Sequence, residues 1–105
     1  MIVSTLMAAS LALAPLQQEV PRPIQKQAEY ITVVLIACRP VLDPVYWDRW
    51  LPIALNLGVA EEYISAAREV VARDPYPVTE TLCLNALASA LDKLEELPAP
   101  AKAGQ

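Results

Sequence analysis

Ten prolines among 105 residues set the terms on which this chain can fold, because each removes a backbone N–H and fixes φ. Nine of them are grouped: Pro15, Pro21 and Pro23; Pro40 and Pro44; Pro75 and Pro77; Pro98 and Pro100. The groups punctuate the chain and leave helix-length stretches between them. Pro52 alone falls inside such a stretch, which predicts a break or kink near Trp50. Only two glycines are present, so no glycine-rich phosphate loop can be built, and the absence of histidine removes the commonest general base and metal ligand.

Between the proline groups the apolar residues follow a helical period. Ile24, Ala28, Ile31, Leu35 and Cys38 recur at spacings of three and four, predicting a first helix that ends near Pro40. Its second half, ITVVLI, is β-branched enough for a strand, yet no other segment offers a partner whose backbone it could pair with. Asp43-Pro44 is a helix start: the carboxylate can accept from first-turn amides, and proline there has no amide to waste. A second helix then runs from Pro44 towards Leu57, where Gly58 supplies a left-handed cap. Ala60 to Arg73 forms a third helix, with Tyr63, Ile64, Ala67, Val70 and Val71 on one face and Glu61 and Glu62 at the dipole's positive end. Asp74-Pro75-Tyr76-Pro77 forces an extended connection. Thr79 or a neighbour then caps a fourth helix carrying Leu84, Leu87, Leu91 and Leu94. The expected fold is all-α, a small bundle of about four helices over residues 24–97, preceded by a proline-rich linker at 15–23 and followed by a disordered tail at 98–105.

A chain of this size buries too little surface to be comfortable on a hydrophobic core alone. Cys38 and Cys83 fall on apolar faces of separate predicted helices. A disulfide closing the long loop between them would stabilise the fold by about 4 kcal/mol in the chain-entropy description. Ile2 to Ala14 is a charge-free apolar run whose length suits a secretory signal better than a membrane span. Ala12-Leu13-Ala14 provides small residues for cleavage. Pro15 is a poor first mature residue, cleavage after Ala12 with Ser10 is the way round it, and no basic residue precedes the run. An export signal and a disulfide together point to a periplasmic or secreted protein. Three alternatives remain: an uncleaved N-terminal helix that packs on the domain or touches a membrane, two buried free thiols in a cytosolic helical protein, and lipidation of Cys38 in the lipobox-like Leu35-Ile36-Ala37-Cys38.

Function is less legible. A helix-turn-helix pattern is present in Ala54, Gly58 and Ile64, but the second helix begins with Glu61 and Glu62, which would face phosphate, and Lys+Arg number 8 against Asp+Glu 12 for a net charge of −4. Nucleic acid is therefore disfavoured as a partner, and a DNA-binding regulator is kept as an alternative reading. Asp43, Asp48, Glu61 and Glu62 lie near helix junctions, but capping and dipole roles account for three of them. No enzyme, cofactor or metal is expected, since two distant cysteines are not a zinc site. The aromatic run Tyr46-Trp47-Asp48-Arg49-Trp50 is the remaining feature. Trp47 and Trp50 share one side of a helical turn as either core anchors or a contact patch, so Tyr46, Trp47 and Trp50 are the candidate contacts for an unidentified protein partner. In layout only, with no shared motif, a short exported helical chain tied by one long-range disulfide resembles the small periplasmic acid-stress chaperones and some secreted immunity proteins. The leading expectation is a small exported, non-enzymatic protein with a binding or chaperone-like role. Its oligomeric state is not set by the sequence.

Overall fold

The structure, a computed structural model, describes residues 20–97. The expected signal segment at 1–14, most of the linker and the tail at 98–105 lie outside the described residues. Four helices follow in order: α1 (Arg22–Ala37), α2 (Pro44–Asn56), α3 (Glu61–Arg73) and α4 (Glu80–Glu96), and no strand occurs among the described residues.

α1 is the axis of the fold, since α2, α3 and α4 each pack against it and make few contacts with one another. Its sequence fits that position. From Ile31 to Cys38 no residue is exposed, and Ile31 and Thr32 are wholly buried. A helix covered on several sides must be apolar nearly all round, which explains why ITVVLI reads so much like a strand. α1 begins at Arg22, inside the stretch expected to be linker, because Pro23 occupies the first turn, where a missing N–H costs nothing.

The helix ends follow the local chemistry. Asp43 Oδ1 accepts from Val45 N at 2.9 Å to cap α2, and Thr79 Oγ1 accepts from Leu82 N at 3.1 Å to cap α4. Gly58 has φ +91°, a left-handed conformation that side chains rarely adopt, and a Cβ there would lie 3.3 Å from Gln25 Nε2. α2 does not break at Pro52. The helix runs through it to Asn56, contrary to the expected interruption. The proline leaves the Asp48 carbonyl without its helical donor, but Pro52 and Asp48 are both exposed, so water can occupy that carbonyl.

The core is gathered on α1: Ala28, Ile31, Leu35 and Ile36, with Trp50 and Ala54 from α2, Ile64 from α3, and Cys83, Leu87 and Ala90 from α4. Leu42 and Val59 from the connections close it. On α3 the expected apolar face is only partly used, since Ile64 is buried and Val70 is exposed. On α4 the buried line is Cys83, Leu87 and Ala90, while Leu84 turns outward.

Polar side chains fix how the helices lie. Trp50 Nε1 donates to Thr32 Oγ1 at 2.9 Å, and the Thr32 hydroxyl donates in turn to the Ala28 carbonyl at 2.8 Å. Gln25 Nε2 donates to the Gly58 carbonyl at 2.7 Å, and Gln27 Nε2 donates to the Ala90 carbonyl at 3.0 Å. Cys38 and Cys83 form the expected disulfide across 45 positions, with Cα atoms 6.0 Å apart and both residues buried. It joins the end of α1 to the first turns of α4, and Gln27 holds the same two helices together far along α1.

Two predictions follow from these ties. Replacing both cysteines by alanine should lower unfolding stability by about 4 kcal/mol, measured by guanidinium denaturation against the oxidised protein. Thr32→Val and Trp50→Phe should each cost about 1–3 kcal/mol, because each strands a buried polar group or loses its partner. The double variant should cost less than the sum of the two; strict additivity would mean that the indole–hydroxyl bond contributes nothing.

Candidate functional site

The three aromatic residues singled out in the sequence are separated by the helical wheel. At about 100° per residue, Trp50 lies between Tyr46 and Trp47, about 40° from the first and about 60° from the second. Trp50 is 5% exposed and anchors the core. Trp47 is half-buried, and the Arg68 guanidinium from α3 lies 5.3 Å from its ring centroid, a cation–π contact that ties α3 to α2. Tyr46 is 40% exposed and borders both the depression beside Trp47 and the cleft between α2 and α4. The run is thus divided, and of the three only Tyr46 is exposed.

Tyr46 belongs to a groove of about 470 Å³ between α2 and α4. Val45, Tyr46, Arg49, Trp50 and Ile53 form one wall, Leu87, Leu91, Leu94 and Glu95 the other, and Leu35 of α1 contributes to the lining. The groove exists because α2 and α4 both pack on α1 without closing on each other, leaving a cleft above the helix they share. Val45 and Ile53, 41% and 47% exposed, keep apolar surface in water along its rim. Arg49 and Glu95 are its only charged lining residues, and they come from opposite walls. Among the described residues the one ion pair is Arg22–Glu29, at 3.8 Å on α1, so Arg49 and Glu95 are not joined to each other. A cleft that is mostly apolar, with a few charged groups at its edge, suits an apolar side chain or helix face.

The other candidates lie elsewhere. Asp43 and Asp48 border a small depression of about 110 Å³ with Arg39 and Trp47, whereas Glu61 and Glu62 lie with Glu69 on an exposed acidic face of α3. The four carboxylates are therefore not brought to one place. Ala54, Val59 and Ile64 are buried around the Gly58 turn, so packing alone accounts for the helix-turn-helix spacing, and the exposed start of α3 presents carboxylates. Cys38, bonded to Cys83, has no thiol left for a thioether to lipid. Among the described residues no group of three metal-ligating side chains occurs, and no helix is long and apolar enough to cross a membrane.

One titrating group is perturbed. Burial raises the Tyr63 phenol above its ordinary value and the Glu29 carboxylate adds to the effect, which keeps the ring neutral where α3 meets α1.

Sequence reasoning missed Val45, Arg49, Ile53, Leu91 and Glu95 as groove residues. The signal was present in α2, which carries more large apolar side chains than one buried face can use. The chain matches no protein-family model, no curated protein and no solved structure.

Proposed function

We propose that this chain is a small non-enzymatic binding protein of an oxidising compartment, periplasmic or extracellular, and that the groove between α2 and α4 is where it takes hold of apolar protein surface. The groove itself carries the reading: an open, largely apolar cleft of about 470 Å³ whose rim holds Val45, Tyr46 and Ile53 in solvent. Single exposed apolar residues are ordinary on any protein surface, but here they line one cleft with Leu91 and Leu94. The buried disulfide supports the compartment, since such a bond persists where thiols are not kept reduced and adds stability a chain this small needs. Holding an exposed apolar segment of another chain, in the manner of a chaperone, is the role such a cleft fits.

The test separates groove from scaffold. The oxidised full chain should bind the fluorescent probe anilinonaphthalene sulfonate and slow the aggregation of an unfolded client. Ile53→Asp should weaken both by about tenfold or more with helicity retained, because it replaces an exposed apolar side chain of the rim by a charge. Leu55→Asp is the control, since Leu55 is 40% exposed on the same helix but does not line the groove. Equal loss in both variants, or loss in neither, would remove the groove from the function.

A further inference from the structure

The groove carries opposite charges at different levels, and the bonds that hold the bundle fix where each one lies. Trp50 on Thr32 and Gln25 on the Gly58 carbonyl set α2 antiparallel to α1, and Cys38–Cys83 with Gln27 on the Ala90 carbonyl do the same for α4. α2 and α4 therefore run side by side in one direction. The same bonds put Arg49 level with Leu87 and Ile53 level with Leu91 one turn on, with Glu95 a further turn along α4. Leu87 and Glu95 are about 12 Å apart along the helix, a little over two turns. Passing along the groove, an occupant meets a cation from one wall, then an apolar pair from both walls, then an anion from the other wall with Leu94 beside it. Arg49 and Glu95 are both exposed, and neither takes part in an ion pair among the described residues.

A cleft between two parallel helices is the seat of a third, and a helix lying in an apolar groove anchors itself through one face at i, i+3 or i+4, and i+7. Residues at i and i+7 are about 10.5 Å apart, close to the separation of the two charges. We infer, building on the reading of the groove as a protein-binding cleft, that its occupant is an amphipathic helix of another protein with a carboxylate and a Lys or Arg two turns apart on one face and apolar side chains between them. The carboxylate meets Arg49, the cation meets Glu95, and the apolar side chains lie on Ile53 and Leu91. A segment of one sign would satisfy one end of the groove and oppose the other, and an uncharged segment would leave both ends to water. Exposed ion pairs add little affinity, so the apolar contacts hold the helix while the charges select it and set the direction in which it lies.

The probes are labelled amphipathic peptides with leucines along one face and, two turns apart on that face, Glu and Lys, Glu and Glu, or Lys and Lys. Titrated into the oxidised full chain at low salt, the Glu/Lys peptide should bind about two- to tenfold more tightly than either like-charged peptide and gain helicity on binding, and added salt should narrow the difference. The net charge of −4 favours Lys/Lys at any site, so the preference is read through substitutions in the groove. Arg49→Glu should move it to the Lys/Lys peptide and Glu95→Lys to the Glu/Glu peptide, while Ile53→Asp should weaken all three by about tenfold or more. Preferences that neither charge variant moves overturn the proposal, as does a bound peptide that gains no helix. The wider reading fails separately: peptides bound alike, or not at all, while Ile53→Asp still abolishes binding of anilinonaphthalene sulfonate, overturn this occupant and leave the apolar cleft standing. Indifference of both probe and peptides to Ile53→Asp overturns the two together.

Discussion

Everything in this fold is hung on one helix. α1 receives α2, α3 and α4 on different sides, and the three have little to do with one another. Packing of that kind gives each outer helix one apolar stripe and requires the central helix to be apolar almost all round. The demand is visible from Ile31 to Cys38, where no residue is exposed. It also excludes long flexible side chains from that stretch, which is where β-branched residues, stiff at χ1 but small around the helix, fill space well.

A central helix with apolar surroundings has a weakness: nothing in hydrophobic contact alone fixes the rotation or the slide of its neighbours. Directional bonds supply that. The Trp50 indole donates to the Thr32 hydroxyl in the middle of α1, and Gln25 reaches the Gly58 carbonyl at the far end of α2, so this helix is fixed at two levels. α4 is fixed likewise by the Cys38–Cys83 bond at one end and by Gln27 on the Ala90 carbonyl further along. Thr32 matters most among these. It is fully buried, and its hydroxyl both accepts from the indole and donates to the Ala28 carbonyl, so no polar group is left without a partner there. α3 has the softer attachment, Arg68 over the Trp47 ring.

What could be read from the sequence follows the distinction between local and non-local causes. Asp43 and Thr79 cap their helices, and Gly58 ends α2, because those outcomes are decided by a few adjacent residues. The disulfide was legible because the chain holds only two cysteines and both fall on apolar helical stripes. The break expected at Pro52 does not occur for a reason that is not local: its cost depends on the surroundings of the Asp48 carbonyl, and Asp48 and Pro52 are both exposed. The aromatic run was legible as important but not as divided, since the wheel separates Tyr46 from Trp47 while only the neighbouring helices determine which of them meets solvent. The groove was legible only as apolar side chains to spare on α2; its second wall was not, because the cleft is made by two helices that both contact α1 and stop short of each other.

The continuity of α2 through Pro52 gives that groove its wall. Val45, Arg49 and Ile53 form one ridge only while the backbone between them keeps its helical period, and Pro52 lies immediately before the last of the three. An interruption near Trp50 would rotate Ile53 off the line and take apart the apolar rim, even with every side chain unchanged. The residues on either side of the proline are the ones already fixed for the core: Trp50 before it, bonded to Thr32, and Ala54 after it, fully buried. Core packing on both sides of Pro52 therefore sets the geometry of the groove wall on the adjoining face of the same helix. Stability and the shape of the groove share one element here, and a substitution that loosens Trp50 or Ala54 is expected to disturb both.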